Sequence, residues 1–355
     1  MVQKKRKRLR NTLIICASVL VLAILSGGLY VNGMLNKINY ASGKVDIASS
    51  VSGVLSDDDL TTSGDSPQSK IDSLNSQIAS NVNDQNASLM SSDKVFNILL
   101  IGNDTRTGTG PSPSDTMILL SINKSTKTII LTSFLRDIYC AIPGEGNNRL
   151  NAAYAYGGAD LLIQTIQNNF KIRIDRYASV DFMSFIDIID QLGGVTITVT
   201  SAELPILNSY VKNINSLKGL PADDGLLPAA GTNLQLTGKQ ALSYARIRYV
   251  GTDFERTQRQ RTILTQIFAK VKKLNLVEQN KLLNTLLPDI TTNLTKGELI
   301  SLALDGTHFS SFTVEQDTIP IDGSYKNLVI RSMDVLGLDF SANIKQLQQT
   351  IYGGT

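Results

Sequence analysis

Residues Val95–Phe134 read VFNILLIGNDTRTGTGPSPSDTMILLSINKSTKTIILTSF, three apolar runs separated by two polar stretches. The first run, Val95–Ile101, is nearly continuous and has the composition of a strand buried on both faces. A loop rich in Gly, Ser, Thr and Pro follows from Gly102 to Asp115. Thr116–Ile122 and Thr128–Phe134 are of similar length and are joined by the short polar turn Asn123–Lys127, the pattern of a hairpin. If the first strand runs antiparallel to the second, Asp104, Asp115 and Arg136 meet at one end of a sheet.

Downstream, Asn151–Phe170 and Asp181–Leu192 have helical periodicity, and Gly193-Gly194 ends the second helix before a β-branched strand, Val195–Thr200. This alternation is that of a layered α/β fold. A polar segment over about Ser201–Gly231 reads as an insertion, Thr237–Tyr244 as a short helix and Ala245–Val250 as a strand. In a strand, Arg246 and Arg248 share a face because the side-chain period is two. Thr252-Asp253-Phe254-Glu255 has the spacing of a capping box and starts a helix running to about Lys273. Its apolar stripe, Ile263, Leu264, Ile267, Phe268 and Val271, extends backwards onto Gln260, Arg259 and Arg256. Unpaired buried charge is costly, so these groups must face a polar cavity or a partner, and a helix N-terminus flanked by guanidinium groups is an anion site.

Upstream, Thr12–Leu35 carries no charged side chain and exceeds the about 20 residues that span a bilayer core. Lys4, Lys5, Arg6, Lys7, Arg8 and Arg10 precede it, which predicts a cytoplasmic tail over 1–11, a single-pass anchor over 12–35 and everything beyond outside the cell. Residues 36–93 are rich in Ser, Asp and Asn, with three Lys against eight Asp, and read as a flexible stalk with a short helix around Ser69–Ala79. The folded domain is expected over 94–355. The net charge of +3 rests on the basic tail, since residues 11–355 hold 28 Lys and Arg against 31 Asp and Glu, so no nucleic-acid surface is implied. One His, His308, and two Cys, Cys16 and Cys140, exclude a Cys/His zinc site and make a Ser-His-Asp triad implausible. The remaining chemistry is two carboxylates, Asp104 and Asp115, suited to Mg²⁺ or Mn²⁺, and a set of arginines suited to phosphate oxygens: Arg136, Arg246, Arg248, Arg256 and Arg259. Each also has a plain reading, as a turn aspartate, a structural Arg-Asp pair or a solvated strand face.

The ordered motifs Asn97–Arg106, Ser114–Met117, Arg136-Asp137 with Ile142-Pro143-Gly144, Asn151–Gly158, Ala245–Arg248 and Asp253–Gln260 resemble those of the LytR-CpsA-Psr family. The resemblance implies a three-layer α/β/α sandwich around a mixed central sheet, preceded by one N-terminal transmembrane helix. It also implies a membrane-anchored, extracellular phosphotransferase that moves a glycan from an undecaprenyl-pyrophosphate carrier onto peptidoglycan. Carried over by position, Asp104 and Asp115 take the metal role with Mg²⁺ or Mn²⁺, and Arg136, Arg149, Arg246, Arg248, Arg256, Arg259 and Gln260 take the pyrophosphate. Arg136, Asp104 and Asp137 are the catalytic candidates, with the general base open between Asp104, Asp137 and none. Pro113 stands where the family generally has Arg, and Leu135 where it has Pro. A lipid-pyrophosphate sensor or scaffold and a pyrophosphate hydrolase are the alternative functions.

Overall fold

The computed structural model describes residues 33–40, 64–84, 88–103, 112–248, 250–271, 278, 288, 290–309 and 311–353. Residues 1–32, which hold the expected cytoplasmic tail and most of the expected anchor, lie outside this set, and among the described residues no helix is long and apolar enough to cross a membrane.

A mixed sheet forms the centre. It is built from β1 (Asn39–Tyr40), β2 (Val95–Asn103), β3 (Ser114–Asn123), β4 (Thr128–Phe134), β7 (Arg176–Asp181), β10 (Ile290–Thr292) and β11 (Thr313–Ile319), in the order β1-β10-β7-β2-β3-β4-β11. The three opening strands pair as the sequence predicts: β2 lies antiparallel to β3, with Leu99 opposite Leu119, and β3 antiparallel to β4. Parallel pairing of β2 with β7 and of β4 with β11 makes the sheet mixed. Register brings Asn103 opposite both Ser114 and Asp181, and Phe134 opposite Ile319, so four connections leave the sheet at one end.

Side chains alternate across the sheet, and helices cover both faces. On one face Leu99, Ile101, Met117, Leu119 and Phe134 join a core with α1 (Gln68–Val82), α2 (Ala152–Phe170) and α8 (Phe340–Tyr352). The hairpin of β12 (Tyr325–Ile330) and β13 (Met333–Leu338) closes this core. On the other face α6 (Asp253–Val271) reaches Ser133 of β4 through Arg261, and α7 (Lys296–Phe309) reaches Arg176 of β7 through Glu298. A short hairpin, β5 (Tyr139–Ile142) and β6 (Gly146–Arg149), leads into α2, which kinks where Gly158 takes φ +61°. After α3 (Phe182–Gln191), a second core packs β8 (Val195–Val199) and β9 (Gly231–Leu236) against α4 (Glu203–Leu217), α5 (Gly238–Ala245) and α6. Gly194 ends the α3 turn at φ +81°, and a Cβ there would stand 2.4 Å from the Leu236 carbonyl oxygen.

Three expectations are corrected. The segment read as a stalk contributes α1, whose Ile71, Leu74 and Ile78, three and four residues apart, are buried in the first core, so the folded unit starts well before residue 94. Further upstream, Asn39–Tyr40 pair with Thr291–Thr292, and Leu35 and Ile38 are buried beside Leu299. The chain is held again at Asp65 and Ser66: the Asp65 carboxylate accepts from the amides of Arg331 and Ser332 at 3.1 and 2.8 Å, and the Ser66 amide donates to the Val329 carbonyl at 2.8 Å. Secondly, the insertion read over Ser201–Gly231 contains α4, with Leu207, Val211 and Ile214 buried. Thirdly, Ala245–Val250 is no strand. Ala245 ends α5, Arg246 is its C-cap, and the Ile247 and Val250 carbonyls accept from Arg259 rather than from a neighbouring strand.

Candidate functional site

The sheet end defined by Asn103, Ser114 and Phe134 collects the predicted residues, because β3 starts there and β4 ends there. Asp115 is the second residue of β3. Arg136 and Asp137 follow β4 after one residue, Leu135, and Arg149 ends β6, which turns back so that the Asn151 amide donates to the Arg136 carbonyl at 3.2 Å. From the other side come the turn after α5, with Arg246 and Arg248, and the first turns of α6, with Arg256, Arg259 and Gln260. Thr252 caps that helix as its spacing predicts: its amide donates to the Glu255 carboxylate at 2.7 Å, and its hydroxyl accepts from the Phe254 amide at 3.2 Å.

Asp115 is the hub. Arg248 Nη2 donates to its Oδ1 at 3.3 Å, and Arg256 Nη2 lies 3.8 Å from the same oxygen while donating to the Asp115 backbone carbonyl. Burial alone pushes this carboxyl up. The guanidinium charges of Arg256, Arg248, Arg136 and Arg246 outweigh it and hold the group below the ordinary carboxylate range. Asp137 has the opposite balance. It receives Arg149 Nη1 at 3.2 Å and lies 3.4 Å from Arg136 Nε, yet burial, with repulsion from Asp253, keeps its carboxyl above the ordinary range despite those arginines. Two carboxyls are thus pushed apart within one site, Asp115 below and Asp137 above the ordinary range, which makes Asp137 the stronger base of the two.

The remaining arginines divide by surroundings. Arg246 is held between the rings of Phe182 and Tyr210, with its guanidinium carbon 5.2 and 4.8 Å from their centroids. Arg256 is fully buried and also donates to Asp253 at 3.0 Å. Arg259 is buried too, but its donors run to Glu203 at 2.8 Å and to the Ile247 and Val250 carbonyls at 3.2 and 2.7 Å. Gln260 is half-buried one turn beyond Arg256. Asp104 and Arg106 lie outside the described residues, and Pro113 is half-buried beside Ser114.

Sequence reasoning missed Glu203, Asp253 and the ring pair around Arg246. Glu203 had a signal: Thr200-x-x-Glu203 repeats the spacing of Thr252-x-x-Glu255, and its carboxylate accepts from the Thr200 amide at 2.9 Å. Among the described residues no cluster of three or more His, Cys, Asp and Glu side chains is arranged to hold a metal. Asp115, partly exposed and with its carboxyl held below the ordinary range, has the chemistry of a hard-cation ligand, and Asp104, the other expected ligand, lies outside the described residues. Cys140 is fully buried, and burial holds its thiol well above the ordinary value, so it is no nucleophile.

The fold and site together define a mixed α/β protein whose central sheet has a guanidinium-rich end. The LytR-cpsA-psr family model matches residues 60–349, and the chain belongs to that family. The polyisoprenyl-teichoic acid–peptidoglycan teichoic acid transferase TagT of Bacillus subtilis is 31% identical over 212 residues, 58% of this chain and 62% of that protein. The transferase TagU of Enterococcus faecalis is 33% identical over 233 residues, 63% and 69% of the two chains. Biofilm regulatory protein A of Streptococcus mutans is 32% identical over 220 residues, 58% of this chain and 52% of that one. The matched stretch therefore spans from about half to about two thirds of these relatives' own length. Among solved structures, B. subtilis TagT bound to LI-WTA superimposes with a TM-score of 0.58 at 26% identity, covering 74% of this chain and 91% of that one. TagT with bound octaprenyl pyrophosphate lipid gives 0.54 at 26% identity, covering 73% and 91%.

Proposed function

We propose that this protein is a membrane-anchored phosphotransferase that moves a glycopolymer from an undecaprenyl-pyrophosphate carrier onto peptidoglycan outside the cell. The observation that carries the reading is the meeting of Arg248 and Arg256 on the Asp115 carboxylate at the sheet end, with Arg136 beside Asp137 and the charges of Arg136 and Arg246 also acting on Asp115. Such a site neutralises a diphosphate and holds it in a fixed orientation, and positioning with charge neutralisation is most of what phosphoryl transfer needs. The names of the TagT and TagU relatives and the lipid pyrophosphate bound to TagT support the same substrate class.

In this reading a hydroxyl of the peptidoglycan acceptor attacks the phosphorus nearest the glycan. The bond to the bridging oxygen breaks, undecaprenyl phosphate leaves, and the phosphorus joins glycan to acceptor. Arg246 and Arg248 grip the diphosphate, Arg136 and Arg256 balance charge that develops on it, and Asp137 takes the hydroxyl proton. Mg²⁺ or Mn²⁺ held by Asp115 together with Asp104 supplies further neutralisation of the leaving phosphate when bound. The charge-free stretch that starts at Thr12 supplies the anchor, which ends short of Leu35, a residue packed beside Leu299 in the folded body, and the basic tail lies inside the cell.

The test incubates full-length protein in detergent with a prenyl-pyrophosphate glycan, Mg²⁺ and a peptidoglycan oligomer, following products by mass. Glycan phosphate joined to the oligomer, with prenyl phosphate released, is the expected result. Free glycan phosphate makes the protein a hydrolase, donor bound but unchanged makes it a sensor, and absence of donor binding refutes the site.

A further inference from the structure

Arg259 was placed among the diphosphate ligands by its inward position on α6, but its surroundings say otherwise. It is 6% exposed and its partner Glu203 is also 6% exposed, so the pair lies in the interior. Arg259 Nε donates to Glu203 Oε1 at 2.8 Å, and the other Glu203 oxygen accepts from the Thr200 amide and hydroxyl, both at 2.9 Å. The two remaining nitrogens of Arg259 donate to the Ile247 and Val250 carbonyls. Those carbonyls bracket the turn that carries Arg248 onto Asp115, while Ile247 between the two arginines is buried in the second core. The same helix that begins with Glu203 supplies Tyr210, whose ring lies against Arg246. That helix therefore bears on both arginines of the turn, through the Glu203 carboxylate that holds the Arg259 fork in one case and through the Tyr210 ring in the other.

We propose that Glu203 and Arg259 are a positioning pair that sets the Arg246–Arg248 turn against Asp115, and that Arg259 does not touch the diphosphate. This rests on the reading above in which Arg246 and Arg248 grip that diphosphate. A lysine at 259 keeps the charge but has one nitrogen in place of a planar fork, so it cannot hold a carboxylate and two carbonyls together. A residue that only met phosphate as a point charge would tolerate that exchange.

The experiment measures octaprenyl pyrophosphate affinity of the full-length chain in detergent, with amide hydrogen exchange of Arg246, Ile247 and Arg248 recorded on the same samples. Arg259→Lys and Glu203→Ala are each expected to weaken affinity about tenfold and to speed exchange in the turn about tenfold, with exchange in β2 and β3 unchanged. Glu203→Gln keeps an acceptor for Arg259 Nε but turns its amide nitrogen on the Thr200 amide, so it is expected to lie between the native chain and Glu203→Ala in both affinity and exchange, a graded rescue that separates positioning from bulk and guards against a Glu203→Ala chain that does not fold. In an Arg248→Ala background the effect of Glu203→Ala shrinks to about threefold or less, because much of what it positions is gone. Native affinity in Arg259→Lys, or a full tenfold loss for Glu203→Ala without Arg248, overturns the proposal. If the native chain binds no octaprenyl pyrophosphate, the functional reading fails, and exchange in the turn alone decides the pair: unchanged exchange in both variants overturns it.

Discussion

Replacing Arg256 by alanine removes the guanidinium that ties α6 to the sheet end. Arg256 is 2% exposed, donates to Asp253 at 3.0 Å and to the Asp115 carbonyl, and lies 3.8 Å from Asp115 Oδ1. Removing one partner of a buried pair costs about 3–5 kcal/mol, because the charge left behind is buried without compensation. The Asp115 and Asp253 side chains keep 26% and 21% exposure, so water replaces part of what is lost. That discount puts the loss at the lower end, about 3 kcal/mol. For a domain of this size each kcal/mol moves the melting temperature by about 2–4 °C, so Arg256→Ala should melt about 6–12 °C below the native chain. Raising salt from about 0.15 to 1 M shortens the screening length from about 8 to 3 Å, which erases exposed pairs and leaves buried ones largely intact. The deficit should therefore persist in high salt. The assay is thermal unfolding of the full-length chain in detergent, followed by near-UV circular dichroism at both salts and two scan rates. A fall of less than about 2 °C, or one that vanishes in 1 M salt, refutes the clamp and makes Arg256 a screened surface charge.

Other outcomes follow from the same geometry. Arg248→Ala, at a side chain 27% exposed, should weaken octaprenyl pyrophosphate binding by about 10- to 100-fold while moving the melting temperature by no more than about 2 °C, and native affinity in titration calorimetry would count against its role. Leu74→Ala, in the segment that composition assigns to a stalk, should destabilise the chain by about 2–5 kcal/mol in urea unfolding, whereas a stalk residue would cost nothing measurable. Asp115, whose folded carboxyl titrates below the ordinary range, contributes stability that is complete above that range and lost as pH falls through the lowered value. The urea-midpoint gap between the native chain and Asp115→Asn should thus be constant from about pH 7 to 5 and shrink below about pH 4, and a gap that closes near pH 6 contradicts the assignment.

The parts of this architecture that sequence made legible are those fixed by local pattern. Val95–Ile101, Thr116–Ile122 and Thr128–Phe134 are apolar runs with an unambiguous turn between the last two, and the strands extend them by a few residues at most. Arg256 and Arg259 fall on the inward continuation of the Ile263 stripe, so their burial was legible from helical spacing alone. What that spacing does not carry is the partner. Glu203 is 56 residues from Arg259 in the chain, and only the packing of α4 against α5 and α6 distinguishes a guanidinium that faces ligand from one that braces a turn. The same long-range capture of carbonyls turned the Ala245–Val250 alternation into a turn. Leu207, Val211 and Ile214, like Ile71, Leu74 and Ile78, are helical stripes thin enough for the polar residues around them to dominate the composition.

Asn39–Tyr40 on the sheet edge and Asp65-Ser66 on the β12–β13 hairpin fasten both ends of the intervening residues to the same body. A segment held at both ends acts, in polymer terms, as a closed loop and not as a leash. Doubling the length of such a loop costs only about 0.6 kcal/mol in closure entropy and leaves the distance from Leu35 to the sheet unchanged. On the anchor proposed above, the chain leaving the membrane has almost no slack, because Leu35 already packs beside Leu299 on the folded body. In the proposed function, that arrangement would keep the arginine-lined end in a thin shell above the lipid, where a membrane-borne diphosphate is met at high effective concentration, and the length of the Ser- and Asp-rich segment would have no part in setting it.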